Sequence, residues 1–213
     1  MHVMITGANR GIGLEFCRQA HARGHAVTAL CREATPELKA LGVRVVEGVD
    51  VTDPPTFAKV EPVDWLILNA GIWRDESLDN LNFQTIIEQF QVNTLGPLRV
   101  LERVRGSLHE GAKIGLMTSQ MGSIADNTSG GRYGYRLSKA ALNSVGVSLA
   151  HDLKSAGISV ALLHPGYVAT EMTSFRGSIE PEESVRGLWA VMERLGLDNT
   201  GGFWNYRGER LPW

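Results

Sequence analysis

HVMITGANRGIGLEFCRQA (His2 to Ala20) decides the fold, because an apolar run enters a glycine-rich turn that a helical pattern follows. The run His2–Thr6 predicts a buried β-strand, and recurring apolar or small side chains predict a helix over Ile12–Arg23. Glycine allows the tight turn between them and lets phosphate oxygens approach the backbone. The free N–H groups and positive dipole end of the helix would then favour a pyrophosphate. The opening segment therefore predicts a strand–turn–helix unit for a dinucleotide.

The remainder of the chain alternates apolar strands with helices. The predicted strands are His25–Cys31, Val43–Gly48, Val63–Gly71, Ala112–Ser119, Ile158–Gly166 and Gly201–Tyr206. The predicted helices are Pro36–Leu41, Asp53–Val60, Asn82–Leu108 (kinked or interrupted near Gly96-Pro97), Tyr133–Ala156 and Glu180–Leu195. Continuous apolar strands indicate a sheet covered on both faces, and the alternation indicates right-handed crossovers. We therefore predict an α/β fold: one domain over residues 1–213, with a doubly wound parallel sheet and helices on both faces.

Composition and charge exclude several classes of protein. The chain of 213 residues has a formal net charge of −2, which is too near neutral to favour a nucleic-acid or membrane-surface partner. We find no apolar run of membrane-spanning length and no signal-peptide pattern, so we expect a cytoplasmic protein. The two cysteines, Cys17 and Cys31, do not make a disulfide framework, and the six histidines lack metal-ligand spacing. We expect no bound metal.

The pair of Tyr135 and Lys139 carries the strongest chemical signal. The two residues stand four apart in GYGYRLSKAALN, so on a helix both side chains point to the same face. A free tyrosine has a pKa of about 10, and a neighbouring cation favours the phenolate and lowers that pKa. The pair therefore predicts a proton donor for chemistry on a carbonyl or an alcohol. Tyr133 lies two residues earlier and points away from Lys139, so we assign it to a pocket wall or the helix start.

The charges near the turn predict the cofactor. An acidic residue at the end of the second strand would hold the 2′-hydroxyl of NAD, whereas this chain has Cys31 followed by Arg32. Arg10, within the turn, adds a second positive charge. Two guanidinium groups suit a phosphate in geometry and in charge. We expect NADP(H) to be preferred, with NAD(H) as the alternative; two solvated surface arginines would be the structural alternative.

The succession of TGANRGIG, LNAG, a strand-end serine, YxxxK and PG resembles the short-chain dehydrogenase/reductase family over essentially the whole chain. Within that family, MTSQMGSIADNTSGGRYGYRLSKAALN is most similar to the C-factor and sniffer-type carbonyl reductases. The resemblance implies a Rossmann-type domain and a homodimer or homotetramer. It also implies four catalytic residues, Asn93, Ser119, Tyr135 and Lys139.

The resemblance gives each of these four residues a role. Ser119 would hydrogen-bond the substrate oxygen, Tyr135 would act as general acid or base, and Lys139 would lower the tyrosine pKa and hold the nicotinamide ribose. Asn93 would complete a water-linked proton relay. Helix capping by Ser119 and simple packing of Asn93 are the structural alternatives. Ser123 and Thr118 are rivals for the serine role.

The resemblance also implies the cofactor contacts and leaves the substrate pocket to the residues themselves. The cofactor contacts would be Gly7, Asn9, Arg10, Gly11, Ile12, Gly13, Arg32, Asp50, Val51, Asn69, Ala70, Gly71, Tyr135, Lys139, Pro165, Gly166, Val168 and Thr170. The apolar or aromatic loop residues Trp73, Met121, Tyr167, Met172 and Phe175 predict a pocket for a hydrophobic carbonyl compound. Ordinary anchoring of the loops is the alternative for each of them.

We weigh three functions on this basis. The first is an NADPH-dependent reductase of aldehydes, ketones or quinones, or the corresponding alcohol dehydrogenase. The second is an NADP(H)-binding redox-sensing or C-factor-like signalling protein. The third is a sugar-nucleotide epimerase or dehydratase, for which the stretch after Thr170 leaves little room for a substrate domain.

Overall fold

Seven parallel strands form one sheet in the computed structural model, which describes residues 1–55 and 61–213. The strands are β1 (His2–Thr6), β2 (Ala26–Leu30), β3 (Arg44–Val46), β4 (Val63–Leu68), β5 (Leu108–Met117), β6 (Ser159–His164) and β7 (Gly202–Asn205). Their spatial order is β3-β2-β1-β4-β5-β6-β7, so the winding reverses between β1 and β4. Ligands of such sheets bind at this reversal, outside the carboxyl ends of the strands. The predicted parallel, doubly wound sheet is confirmed.

The helices cover both faces of the sheet. They are α1 (Gly11–Ala22), α2 (Pro36–Ala40), α3 (Phe83–Phe90), α4 (Gly96–Val104), α5 (Tyr133–Lys154) and α6 (Pro181–Arg194). Successive residues of β1 point to opposite faces, so Ile5 joins the core beneath α1 and α6, and Met4 joins the core beneath α4 and α5. Trp189 of α6, which is 1% exposed, is the largest fully buried side chain of the first core. No helix among the described residues is long and apolar enough to cross a membrane.

The predicted helix Asn82–Leu108 is interrupted next to Gly96-Pro97, as expected, but its helical part ends before Leu108. A π-helical turn at Gln91–Leu95 separates α3 from α4, and Leu108 already belongs to β5. Pro97 lies in the first turn of α4, where it has no N–H to donate, so the regular hydrogen-bond ladder cannot run through this point. Such π-turns often occur at functional sites, and this one contains Asn93. The predicted helix Asp53–Val60 falls largely on residues 56–60, outside the described residues.

Candidate active site

The turn between β1 and α1 is shaped by its glycines. Gly7 has a φ of 63°, a left-handed conformation that favours glycine, and a Cβ on it would lie 2.9 Å from the Cα of Ala70. A Cβ on Gly13 would lie 2.2 Å from the carbonyl oxygen of Gly7, so only glycine lets α1 start this close to the turn. Among the described residues, no side chain caps the amino end of α1. Its N–H groups and dipole therefore face outward, as an anion site requires.

Asn69 fastens this turn to the end of β4. Its side-chain amide donates to the carbonyl oxygens of Thr6 (3.0 Å) and Gly7 (3.3 Å). The Thr6 hydroxyl oxygen accepts from the backbone N–H groups of Asn69 (2.9 Å) and Ala70 (3.0 Å). The two strands that flank the reversal of the sheet are thus joined at their carboxyl ends, where the cleft begins.

The cleft has a volume of about 480 Å³ and lies across these strand ends. It is large enough for part of a dinucleotide. Twelve of the predicted cofactor contacts line it: Gly7, Asn9, Arg10, Gly11, Ile12, Arg32, Asp50, Val51, Asn69, Ala70, Gly71 and Thr170. Gly13, Pro165, Gly166, Val168, Tyr135 and Lys139 are not part of its lining.

Hydrogen bonds to two carbonyl oxygens hold the segment between β6 and α6 against the cleft. The carbonyl oxygen of Pro165 accepts from the Ser184 hydroxyl (2.7 Å), and that of Val168 accepts from the Thr173 hydroxyl (2.7 Å). These contacts bring Thr170 opposite Gly11, where its Cγ2 lies 3.2 Å from the position of an added Cβ. Pro165 and Val168 thus hold the segment that supplies Thr170.

The two predicted arginines have different surroundings. Arg32 is exposed at the cleft, and its charge contributes to lowering the pKa of Asp50, although hydrogen bonds from Thr52 contribute more. Arg10 forms an ion pair with Glu171, which lines the cleft from the opposite side. Sequence reasoning missed Glu171, although it directly follows the predicted contact Thr170. Among the described residues, Arg32 forms no ion pair, so a ligand phosphate would meet an unpaired guanidinium there and a paired one at Arg10.

Tyr135 and Lys139 lie on the inner face of α5, as their spacing predicts. The Lys139 Nζ lies 5.7 Å from the centre of the Tyr135 ring and donates to the carbonyl oxygen of Met117 (2.7 Å). It also lies 3.7 Å from the position of a Cβ on Gly71, which lines the cleft. Lys139 therefore lies next to a residue of the cleft, with the Tyr135 ring beside it.

The electrostatics of the pair correct one expectation. The spacing predicts that Lys139 lowers the pKa of Tyr135, but burial raises that pKa to about 12, and only a hydrogen bond with Ser119 opposes the rise. Burial also lowers the pKa of Lys139 to about 7. The physical reason is that removing either group from water disfavours its charged form, and here the Lys139 Nζ donates to the carbonyl oxygen of Met117. Both groups are therefore uncharged between pH 7 and 12.

Ser119 is the serine that meets Tyr135. Its hydroxyl oxygen accepts from the backbone N–H of Met121 (3.1 Å), which is a capping contact, and its hydroxyl also hydrogen-bonds Tyr135. Thr118 instead donates to Asn143 (2.7 Å), and Ser123 accepts from the backbone N–H of Asp126 (3.1 Å). Ser119 therefore combines the capping role and the site role, and the two rivals have other partners.

Asn93 is fully buried and holds a backbone segment beside the site. Its side chain accepts from the N–H of Ile72 (2.8 Å) and donates to the carbonyl of the same residue (2.9 Å). It also donates to the Ser138 hydroxyl (3.0 Å), which in turn donates to the Tyr135 carbonyl (2.8 Å). The side chain of Asn93 is thus engaged in positioning both Ile72 and α5.

The five residues predicted for the substrate pocket do not share one cavity. The Trp73 ring lies 5.8 Å from the Tyr135 ring, centre to centre. Met172 lines the 480 Å³ cleft, and Met121 lines a second, largely apolar cavity of about 350 Å³ beside Tyr133. Tyr167 and Phe175 line neither cavity and are 47% and 69% exposed. Tyr167, Met172 and Phe175 lie on one segment between β6 and α6, yet only Met172 lines the cleft, because a shared sheet edge does not fix where a loop side chain points.

Several residues of the cleft are not marked by any sequence motif. Cys31, Val49, Thr52, Ile72, Arg74, Glu88, Val92 and Glu171 also line the cleft. Cys31 could have been inferred, since it directly precedes Arg32 in the sequence. Within the described residues, no group of three His, Cys, Asp or Glu side chains could hold a metal ion.

Comparison with known proteins identifies the family. Residues 1–180 match the model for short chain dehydrogenases. The chain is 43% identical to 1-hydroxy-2-glutathionyl-2-methyl-3-butene dehydrogenase of Rhodococcus sp. (strain AD45), over 99% of both chains. It is 41% identical to C-signal of Myxococcus xanthus, over 71% of this chain and 93% of that protein. An NADPH-bound carbonyl reductase from chicken fatty liver superposes with a TM-score of 0.88 at 30% identity, over 100% of this chain and 98% of that one.

The chain therefore belongs to the short-chain dehydrogenase family and is an oxidoreductase of that family. The expected resemblance to C-factor proteins and carbonyl reductases is confirmed.

Proposed function

We propose that this protein is an NADP(H)-dependent oxidoreductase that reduces a small aldehyde, ketone or quinone, or oxidises the corresponding alcohol. Tyr135 is the general acid and base. The observation that supports the proposal is the grouping of Ser119, Tyr135 and Lys139 next to Gly71, which lines the cleft that the glycine turn opens. The relation to the NADPH-bound carbonyl reductase supports the choice of cofactor.

The residues of the cleft fit a phosphorylated dinucleotide. The uncapped start of α1 and the Gly7–Gly13 turn would hold the pyrophosphate, and Arg32 with Arg10 would hold a 2′-phosphate. Asp50 and Val51 line the side of the cleft where an adenine ring would lie. When bound, the reduced nicotinamide supplies a hydride to the carbonyl carbon.

The chain's own residues handle the oxygen and the proton. Ser119 accepts from the Met121 N–H and hydrogen-bonds Tyr135, so its hydroxyl lies beside the phenol, where it would donate to the substrate oxygen. Tyr135, which keeps its proton because burial raises its pKa to about 12, gives that proton to the oxygen as negative charge develops there. The phenolate left on Tyr135 would then take a proton from solvent, and Lys139, buried beside the ring, would stabilise that phenolate in its protonated form.

The test is oxidation of NADPH, followed by absorbance, across a panel of aldehydes, ketones and quinones. Because of the Rhodococcus relative, the panel includes the reverse reaction on glutathionyl alcohols with NADP⁺ and NAD⁺. Tyr135→Phe should abolish turnover, and Tyr133→Phe, which changes an exposed ring two residues away, should retain most of it. Loss of turnover in Tyr133→Phe with retention in Tyr135→Phe would contradict the assignment.

A signalling role is the second candidate, and the 41% identity to C-signal favours it. Under this alternative the protein binds NADP(H) and acts through a partner. Catalytically inactive Tyr135→Phe protein that still produces the cellular effect of the wild type would support signalling. Loss of that effect together with turnover would support catalysis alone.

The proposal includes assembly into a homodimer or homotetramer. Phe83 and Ile87 of α3 are 70% and 53% exposed, and Leu137 of α5 is 48% exposed, so apolar side chains are available on two neighbouring helices. Sedimentation velocity at micromolar concentration tests this part, and a monomer would remove it.

A further inference from the structure

A ladder of side chains joins α3 to the segment that follows β4. Thr85, Gln89 and Asn93 are spaced four residues apart, and their partners Glu76, Arg74 and Ile72 are spaced two apart in the opposite direction. Asn93 bonds both backbone groups of Ile72, and Gln89 accepts from the N–H of Arg74 (2.9 Å). Every fourth residue of the helical stretch thus meets every second residue of the extended segment 72–76. These contacts fix that segment along the helix.

Glu76 ends this ladder as a buried carboxylate, with 3% of its surface exposed. One oxygen accepts from Gln89 Nε2 (2.7 Å) and from the Thr85 hydroxyl (2.9 Å). The other oxygen accepts from the backbone N–H of Gly134 (3.2 Å), in the first turn of α5. Glu76 has no ion-pair partner within the part of the chain that the structure describes.

Glu76 thus performs the capping that the local sequence does not provide. α5 has 22 residues, and its N-cap residue, Arg132, makes no side-chain cap. Carboxylates stabilise helix amino ends through the first-turn N–H groups and the dipole. Here the carboxylate comes from 58 residues earlier, and the Glu76 carbonyl also accepts from the Arg132 N–H (2.8 Å).

The contact with α5 is close and lies next to the reacting residue. A Cβ on Gly134 would lie 2.4 Å from Gln89 Nε2 and 3.1 Å from a Glu76 oxygen, so the helix start has no room to shift toward the ladder. Gly134 immediately precedes Tyr135, and Trp73, three residues before Glu76, packs on the Tyr135 ring. The ladder therefore fixes both the phenol and the aromatic wall beside it.

We propose that Glu76, held by Gln89, is a positioning residue for Tyr135: it fixes the first turn of α5 so that the phenol points at the substrate oxygen. The inference rests on the proposed function, because its effect on rate requires Tyr135 to be the acid. Glu76 itself is not part of the cleft lining.

Glu76→Gln is the sharpest perturbation because it keeps the size of the side chain. A carboxylate has two accepting oxygens, whereas an amide has one oxygen and one NH2 group. The variant therefore turns an NH2 toward either Gln89 or the Gly134 N–H, and one buried donor loses its acceptor. Glu182→Gln on α6, whose side chain is 74% exposed, is the matched control for removal of one carboxylate.

The first arm measures kcat, KM and the dissociation constant of NADPH. We expect Glu76→Gln to lower kcat by about 10- to 100-fold, since misplacing a reacting group by about 1 Å has an effect of this size. NADPH affinity should stay within about twofold, because the cleft is untouched, and Glu182→Gln should match the wild type. An unchanged kcat, or an equal loss of NADPH binding, would overturn the proposal.

The second arm does not depend on turnover. In Glu76→Gln, hydrogen–deuterium exchange should be faster in the first turn of α5. The exchange rate of the peptide that covers the Gly7–Gly13 turn should be unchanged. If the wild type turns over none of the panel, the proposed function fails, and this arm alone decides the positioning role. If the start of α5 exchanges as slowly in Glu76→Gln as in the wild type, the positioning role of Glu76 is overturned.

Discussion

Arg32→Ala should separate the two nicotinamide cofactors. Arg32 is exposed at the cleft and forms none of the ion pairs found within the described residues. A 2′-phosphate would therefore bind its guanidinium without first displacing a carboxylate. A hydrogen bond to a charged group contributes about 1.5–3 kcal/mol, and an exposed position puts the value near the lower end. The loss corresponds to about a tenfold higher Kd for NADPH. NADH has no phosphate there, so its Kd should change by less than about twofold.

Arg10 should contribute less than Arg32, because it must first leave Glu171. Their side chains are 58% and 55% exposed, and such pairs are worth about 0–1 kcal/mol. Glu171→Gln removes this competitor, so NADPH should bind up to about fivefold more tightly. Arg10→Ala should weaken NADPH by a smaller factor than Arg32→Ala does.

Isothermal titration calorimetry with both cofactors measures these changes. Arg105→Ala, which removes an exposed positive charge away from the cleft, is the control for net charge. Equal weakening of NADH and NADPH by Arg32→Ala would refute the reasoning, as would weaker NADPH binding in Glu171→Gln.

Three further perturbations test the site. Gly13→Ala should weaken NADPH by at least about tenfold in a binding titration, because its Cβ would lie 2.2 Å from the Gly7 oxygen; Gly106→Ala, with open space around it, should bind normally. Asn93→Ala leaves the two backbone groups of Ile72 unpaired and should lower the free energy of unfolding by about 1–3 kcal/mol for each, and a loss below about 0.5 kcal/mol in urea would contradict the buried contacts. Lys139→Met tests the lowered lysine pKa: between about 7 and 10.5 the unfolded chain binds a proton that the folded chain does not, so the stability of the wild type relative to the variant should rise with pH over that window and level off below it. A gap between the two melting temperatures that does not change with pH would contradict the lysine shift.

The elements of the sheet are predictable from the sequence because their signals are local. Each strand is an apolar run bounded by turn residues, and parallel strands joined by helices admit few arrangements. The glycine turn is predictable for the same reason, since Gly7 and Gly13 meet a steric requirement within one short loop. The spacing of Tyr135 and Lys139 is a local signal too, because four residues make about one helical turn and bring both side chains to one face.

Contacts between distant segments carry no such signal. The sequence marks Gly96-Pro97 as a point where the helix is kinked or interrupted, but it does not show that the interruption is a π-turn over Gln91–Leu95. Arg10 and Glu171 are 161 residues apart, and Glu76 and Gly134 are 58 apart. No periodicity links such pairs, so the paired state of Arg10 and the cap of α5 become visible only in the fold.

The sign of the Tyr135 pKa shift depends on burial, which spacing alone does not reveal, and it has a consequence for the direction of catalysis. With the pKa of Tyr135 raised to about 12 and that of Lys139 lowered to about 7, the site holds a neutral phenol throughout the mildly alkaline range. Proton donation in carbonyl reduction needs that phenol, whereas alcohol oxidation needs the phenolate that burial disfavours. The rate of oxidation should therefore rise by about tenfold per pH unit from about pH 7 to 10, while the rate of reduction stays nearly constant. Parallel pH–rate profiles in the two directions would show that another group, rather than the half-buried Tyr135, carries the proton.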